Sequence, residues 1–230
     1  MRILRARERA AAPWSNGGGV TREIAAHPPG AGWDGFAWRV SLADVTRDGP
    51  YSPLPGVRRI LTVVDGAGLE LTVDGAVRLL PGGHRPFAFP GGAATGSRLL
   101  AGPVINLNVM LREGRADATV EIVRGTWAPG PSPSASPLAS SSPSPSPSPS
   151  LSPSPGGGPD SVGGLLVVAL EGATRLTAPG GTGESGEPVA LRLERFDAVL
   201  WPGPDVPPGG LRADGTVAVI RLSGPPSPRT

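Results

Sequence analysis

The sequence predicts an all-β protein of two β modules in tandem, and three observations support this fold class. Turn signals are closely spaced, since Asp65-Gly66 and Asp74-Gly75 lie nine positions apart, as in the hairpins of a sandwich or barrel. The segments between such turns are short and apolar. Long amphipathic helical patterns are absent from the sequence.

The turn signals divide the chain into short segments that we expect to be strands. In the longer N-terminal part these are residues 57–64, 69–73 and 77–80. In the C-terminal part they are residues 165–170, 189–193, 198–201 and 216–222, with Asp214-Gly215 as another turn. The arginines of residues 2–12 are expected to alternate along an edge strand, and one turn of helix is the alternative there.

A weak internal repeat is consistent with two similar modules. Residues 60–68 resemble residues 165–173, because each segment is a hydrophobic strand that runs into a turn containing Gly-Ala. Each is followed by a strand that contains Phe and closes with Pro-Gly. This arrangement is expected of two related β modules in one chain.

A Pro/Ser-rich tract at residues 129–160 separates the two modules and ends in three glycines. Such a composition has little to bury, so we expect it to be disordered or extended. The predicted domains are therefore an N-terminal barrel with a ligand pocket at 1–128, a C-terminal module at 161–225 and a tail at 226–230. A loop insertion between modules is the favoured interpretation of the tract, and recruitment of an SH3-type partner is the alternative.

The composition excludes several classes of protein. All 21 basic residues are arginine against 19 acidic residues, so the net charge is only +2 and a nucleic-acid partner is not predicted. The absence of cysteine excludes disulfides and thiolate metal sites and is typical of a reducing compartment. The N-terminus lacks the apolar run of a signal peptide, and no window approaches the roughly 18 apolar residues of a membrane span. We expect a cytoplasmic protein with no membrane partner.

Two segments with strand-like alternation each carry a polar pair on one face. In residues 36–43, Arg39 and Ser41 point away from the apolar side chains. In residues 104–110, Asn106 and Asn108 do the same. If these faces meet inside a barrel, they form a pocket of guanidinium, hydroxyl and amide groups. The alternative is that they line the wet face of an antiparallel sheet.

Residues 13–24 place Trp14, Asn16 and three consecutive glycines directly before another alternating run. Consecutive glycines can turn their N–H groups toward a ligand that approaches the main chain. A simple turn before a strand is the interpretation that the glycines alone favour. No Lys-Ser or Lys-Thr follows them, so they are not a phosphate loop.

Taken in order, the segment at 13–24, the block at 36–59 and the Gly-Pro-Val-Ile-Asn-Leu-Asn-Val-Met run at 102–110 resemble the HutD/Ves family. The resemblance covers about residues 1 to 125 and implies a double cupin, two jelly-roll-like β-barrels in tandem, with an association with bacterial histidine utilisation. It also adds Arg59 to the candidates. Ser15 and Asn106 stand where the family usually has Lys and Asp, so a ligand site that used those two groups is altered here.

The resulting functional prediction is a metal-free protein that binds a small molecule and senses or buffers a small carboxylate- or amide-bearing metabolite. Arginines can hold a carboxylate through two charge-assisted hydrogen bonds, and asparagines can recognise an amide or an imidazole. The resemblance suggests an intermediate of histidine breakdown as ligand. The predicted ligand-binding residues are Trp14, Asn16, Arg39, Ser41, Arg59, Asn106 and Asn108.

We expect no cofactor and no metal, because the chain has only two histidines, both in loop contexts rich in Pro and Gly. Two other functions remain open. One is a cofactor-free isomerase or hydrolase that uses Glu23 as a general base or a water bound by an asparagine, although a structural salt bridge is the favoured role for Glu23. The other is an interaction module that works through the Pro/Ser tract. A homodimer is compatible with each of these functions.

Overall fold

The computed structural model describes residues 1–128, 162–178, 188–203 and 210–224. The Pro/Ser-rich tract predicted at 129–160 and the tail at 226–230 lie outside these described residues, so the predictions for them stay open. Within the described ranges, no helix has the length and apolar character needed to cross a bilayer.

The described chain is almost entirely β, which confirms the predicted class. A short 3-10 turn lies at Ala6–Glu8. The strands of the N-terminal part are β1 Arg2–Leu4, β2 Ala12–Pro13, β3 Gly19–His27, β4 Trp38–Val45, β5 Gly49–Pro50, β6 Val57–Asp65, β7 Gly68–Val73, β8 Ala76–Pro81, β9 Phe87–Pro90, β10 Thr95–Leu99, β11 Val104–Arg112 and β12 Asp117–Trp127. Those of the C-terminal part are β13 Gly164–Ala169, β14 Thr174–Ala178, β15 Val189–Leu193, β16 Ala198–Pro202 and β17 Leu211–Ser223.

These strands form three antiparallel sheets. A six-stranded sheet has the order β2-β3-β4-β11-β6-β9, and a four-stranded sheet has the order β5-β10-β7-β8. A seven-stranded sheet has the order β1-β16-β13-β17-β14-β15, with β12 paired to β17. Two strands from the N-terminal part, β1 and β12, thus belong to the sheet of the C-terminal module.

One predicted turn is confirmed in detail and another is wrong. Asp74 and Gly75 both have positive φ, 46° and 79°, and connect the paired residues Val73 and Ala76 as a two-residue hairpin loop. Asp214-Gly215, by contrast, lies inside β17, where the pairing with β12 shifts register. The two residues form a bulge and not a turn. The Asp214 carboxylate accepts a hydrogen bond from the backbone N–H of Arg175. This bond gives a partner to a backbone donor of the neighbouring strand β14 at the bulge.

Three larger hydrophobic cores hold the sheets together, and a fourth, small cluster contains Phe36, Val57 and Met110. The outer face of the six-stranded sheet packs on the seven-stranded sheet, with Trp38 and Val109 on one side and Leu166 and Ile220 on the other. The seven-stranded sheet curls around a second core that includes Trp201 and is formed almost entirely by apolar side chains. The third core lies between the six-stranded and four-stranded sheets. It fills only part of that space, and a cavity occupies the rest.

Candidate functional site

The cavity of the N-terminal module has a volume of about 600 Å³. It is lined by the inner face of the six-stranded sheet and by the segments that lead into β3 and out of β5. Six of the seven residues predicted from the sequence line it together: Trp14, Asn16, Arg39, Arg59, Asn106 and Asn108. Their role in ligand binding stays a prediction.

Strand register explains why these side chains converge. Residues directly opposite each other on antiparallel strands point to the same face. Met110 is opposite both Arg39 and Arg59, so these three residues form one row across β4, β11 and β6. The two arginines are therefore two strands apart, about 9.5 Å between Cα atoms. Asn108 lies in the next row, and Asn106 in the row after that.

Ser41 is the predicted residue that does not line the cavity. It is opposite Glu23 on β3 and Asn108 on β11, and it is buried. Both neighbours have longer side chains, and both line the cavity. The alternation argument therefore placed Ser41 on the correct face, but its side chain lies between these two longer ones and is not part of the cavity lining.

Arg59 is the central charged group of the site. Its side chain lies between two aromatic rings, with the guanidinium carbon 5.0 Å from the Tyr51 ring centre and 5.1 Å from that of Phe89. Only 7% of the residue is exposed. Burial lowers the pKa of the guanidinium, and the nearby Tyr51 acts in the opposite direction.

Arg59 forms no ion pair with any described residue. Its one hydrogen bond to a side chain is a long one of 3.4 Å to the amide oxygen of Asn108, and its Nε has no partner within the described part of the chain. A buried cation without a counter-ion is costly, and such groups are concentrated at functional sites.

A second group of unpartnered polar atoms lies next to Arg59. The Tyr51 hydroxyl is beside Ser97 and Asn106. None of these three side chains forms a hydrogen bond of proper geometry among the described residues, and for Asn106 this holds for both amide atoms. Burial raises the pKa of the Tyr51 hydroxyl, whereas Ser97, Arg59 and Asn106 act to lower it.

Arg39 differs from Arg59 because its charge is neutralised. Its Nη2 is 2.8 Å from Oε2 of Glu23, and its guanidinium carbon is 4.5 Å from the centre of the Trp33 ring. The salt bridge favoured for Glu23 from the sequence is therefore present. Trp33 is half-exposed and lines the cavity, so the stacked pair forms part of its outer wall.

The glycine-rich segment at residues 17–19 forms a turn leading into β3, which is the interpretation that the glycines alone favour. The N–H groups of Gly17 and Gly18 are bonded to the Trp14 carbonyl and the Asn16 side chain. A Cβ at Gly19 would overlap the carbonyl oxygen of Asp44, so the close approach of two strands requires glycine there. The turn directs Trp14 into the cavity, where its indole N–H donates to Thr21.

Sequence reasoning missed Tyr51, Ser97, Phe89 and Trp33 as site residues. Tyr51 is the only tyrosine of the chain, and its rarity could have drawn attention to it. It lies in a loop, however, where no periodicity assigns its side chain to a face. Ser97 lies on β10 of the opposing sheet. Its position near Asn106 depends on how the two sheets face each other.

The described residues bring no set of metal ligands together. Within the described ranges, no three side chains of His, Asp or Glu come together as a metal site requires. His27 stacks on Trp38, and Nε2 of His84 lies 3.3 Å from the Val64 carbonyl oxygen. Neither histidine lines the cavity.

The two packed β modules, with an internal cavity in the first, define a double cupin, as predicted. The chain belongs to the HutD family, whose family model matches residues 6–134, and this confirms the resemblance seen in the sequence.

Individual relatives agree with this assignment. The chain is 39% identical over 128 residues to an uncharacterised 21.2 kDa protein of the hutC 3′ region in Pseudomonas putida, covering 55% of this chain and 66% of that protein. It is 35% identical over 118 residues to protein Ves of Cronobacter sakazakii, covering 51% and 64%. The chain thus spans less than two thirds of the length of these curated relatives.

Solved structures extend the likeness over the whole fold. The structure of HutD from Pseudomonas fluorescens SBW25 superimposes with a TM-score of 0.71 at 26% identity, covering 98% of this chain and 99% of that one. A conserved protein of unknown function from Pseudomonas aeruginosa PAO1 gives a TM-score of 0.68, also at 26% identity.

Proposed function

We propose that the protein is a metal-free small-molecule-binding protein whose N-terminal cavity takes a small carboxylate-bearing metabolite. The observation that carries the proposal is Arg59, a buried arginine in the cavity wall without a carboxylate partner among the described residues. A ligand carboxylate would supply the missing counter-charge through charge-assisted hydrogen bonds.

The charges of the cavity wall favour an anion. Its charged lining residues are Arg39, Arg59 and Glu23, and the first and last of these neutralise each other. The remaining positive charge is that of Arg59. Because the cavity wall is also partly apolar, through Trp14, Met110 and Leu54, a carboxylate with a short carbon chain suits it better than an inorganic anion.

The ligand we propose belongs to histidine breakdown. This rests on the family and on the relative named for the hutC 3′ region. A role in sensing or buffering such a metabolite, in the cytoplasm and without nucleic acid or membrane as partner, follows as part of the proposal.

Isothermal titration calorimetry of the purified protein with urocanate, formylglutamate, glutamate and histidine tests the proposal. We expect saturable heat with at least one of the carboxylates, unchanged after treatment with a chelator. No heat with any of the four at millimolar concentration would contradict the proposal.

The same samples distinguish binding from the enzymatic alternative. A general base must be free to accept a proton, and Glu23 is paired with Arg39 instead. We therefore expect binding without turnover when each titrated compound is followed by chromatography. Conversion of one of them by chelator-treated protein would favour the enzyme.

A further inference from the structure

We propose that the cavity has a second, neutral subsite, formed by the Tyr51 hydroxyl and the Asn106 carboxamide, for a ligand group that both donates and accepts hydrogen bonds. A hydroxyl or a carboxamide meets this requirement. The inference rests on the proposed function, since it describes the other end of the same ligand.

Three unpartnered polar groups support this subsite. Asn106 is 1% exposed and lines the cavity, yet neither its amide nitrogen nor its amide oxygen has a partner within the described residues. Tyr51 is also a lining residue, and its hydroxyl and the nearby Ser97 hydroxyl have no partner of proper geometry within the described residues either. Buried polar atoms are normally satisfied, because leaving one unpaired costs a substantial part of its hydration energy.

The types of atom define the group that fits. Asn106 presents both a donor and an acceptor, and the Tyr51 and Ser97 hydroxyls can each do either. An anionic group would satisfy the donors but leave the amide oxygen of Asn106 facing negative charge. A cationic group would lie near Arg59, whose guanidinium carbon is 5.0 Å from the Tyr51 ring centre. Only a neutral group with both functions satisfies all the atoms.

The two subsites are adjacent because they share Tyr51. One side of its ring packs against Arg59, and its hydroxyl points toward Asn106 and Ser97. A ligand whose carboxylate contacts Arg59 can therefore reach the neutral subsite through a short linker. Ser97 lies near the Tyr51 hydroxyl but does not line the cavity.

A matched set of four-carbon carboxylates tests the subsite by calorimetry. The probes are butyrate, 4-hydroxybutyrate, succinamate and succinate, with the corresponding five-carbon set to allow for linker length. We expect the hydroxyl or the amide compound to bind about 5- to 10-fold more tightly than the alkyl carboxylate, as one buried hydrogen bond would give. The compound that shows the larger gain identifies which of the two groups the subsite takes.

Two isosteric variants connect this preference to the residues. Tyr51→Phe keeps the ring against Arg59 and removes only the hydroxyl, and Asn106→Leu keeps the branched shape and removes the amide. In both we expect the preference over butyrate to disappear while butyrate still binds. The control is Thr119→Val, which also loses a hydroxyl but is exposed on β12, away from the cavity.

Thermal unfolding of the ligand-free proteins gives a second readout. Because the removed groups are unpartnered, Tyr51→Phe and Asn106→Leu should leave Tm unchanged or raise it by about 2–4 °C. A fall of several degrees in both would mean that the protein itself satisfies these groups, which overturns the inference.

The remaining outcomes are also decisive. If the polar probes bind no more tightly than butyrate, or if succinate binds best and keeps its advantage in Asn106→Leu, the neutral subsite is wrong and the carboxylate-binding proposal stands. If no carboxylate binds to the wild-type protein, the proposed function fails and this inference fails with it.

Discussion

The two β modules bury charge in opposite ways. The second module surrounds an apolar core in which Val167 and Val219 face each other on paired strands. Its buried carboxylate, Asp197, accepts hydrogen bonds from Arg5 and from the backbone N–H groups of Ala6 and Glu194. The first module instead buries Arg59, which has no carboxylate partner among the described residues.

The two modules therefore have similar curled β frames but interiors of different chemistry. An apolar interior whose buried carboxylate is hydrogen-bonded contributes stability, whereas unpartnered buried polar groups reduce it. Asp197 also helps to attach the N-terminal segment to the second module, because its hydrogen bonds hold the residues around Arg5 there. Four predictions, some with a matched variant, test this contrast.

The largest effect is expected from placing an amide in the second core. Val219→Asn would bury a carboxamide among Val167, Leu165 and Trp201 without a partner, and we expect the free energy of unfolding to fall by about 3 kcal/mol. Denaturant unfolding followed by circular dichroism measures it.

Asn106→Leu is the matched change in the first module, and it should not lower the free energy of unfolding. Equal losses for Val219→Asn and Asn106→Leu would contradict the claim that the two interiors differ.

Removal of the unpaired cation is expected to have the next largest effect, on binding. Arg59→Met keeps the aliphatic packing between Tyr51 and Phe89 and removes the charge. We expect the affinity for a carboxylate that binds the wild type to fall about 100-fold, without loss of stability. Calorimetry and thermal unfolding measure the two quantities.

Arg98→Met is the control for Arg59→Met, because Arg98 is an exposed arginine paired with Glu70. It should change neither quantity much. Full carboxylate affinity in Arg59→Met would refute Arg59 as the anchor.

Asp197→Asn tests the paired charge of the second module. Burial acts to raise the pKa of Asp197, but its hydrogen bonds from Ala6, Arg5 and Glu194 outweigh this and hold the pKa below the usual 3.8. The stabilisation by the carboxylate is therefore present above about pH 5 and is lost as pH falls below about 4, through the lowered pKa.

At pH 7 we expect Asp197→Asn to reduce the free energy of unfolding by about 2 kcal/mol. The deficit should shrink in acid, where the wild-type carboxylate is itself protonated. A deficit that stays the same between pH 7 and pH 2 would show that charge is not the cause.

The smallest effect is expected at the neutralised arginine. Arg39 is paired with Glu23 and partly exposed, so Arg39→Gln should weaken carboxylate binding by only about 2- to 5-fold. Glu23→Gln frees the Arg39 charge and should strengthen binding by a similar factor. Titrations at low and high salt measure both changes in affinity. A change in the same direction for the two variants would contradict this explanation.

Much of the fold could be predicted because its signals are local. The hairpin at Asp74-Gly75 requires two residues with positive φ, and the Asp-Gly dipeptide is typical of this requirement. The Asp214-Gly215 pair shows the limit of such signals, since the same dipeptide forms a bulge inside β17 when a long partner strand continues past it.

The candidate site was predictable to the extent that it follows strand alternation. Arg39, Asn106 and Asn108 lie on the faces that a period of two assigns to them. The partners of these residues could not be predicted in the same way. The neutralisation of Arg39 by Glu23 depends on the register of β3, which is shifted by an irregularity between Glu23 and Ala25.

The all-β class, most strand positions and the family follow from the sequence alone, because turn chemistry, side-chain alternation and motif order are properties of neighbouring residues. Which polar groups are paired depends instead on how the sheets pack. Tyr51, Ser97 and Asn106 come from a loop and from two different sheets, and Arg59 is left without a counter-ion by the packing around it. Pairing of buried groups depends on distances across sheets, and those distances exist only after the sheets have packed.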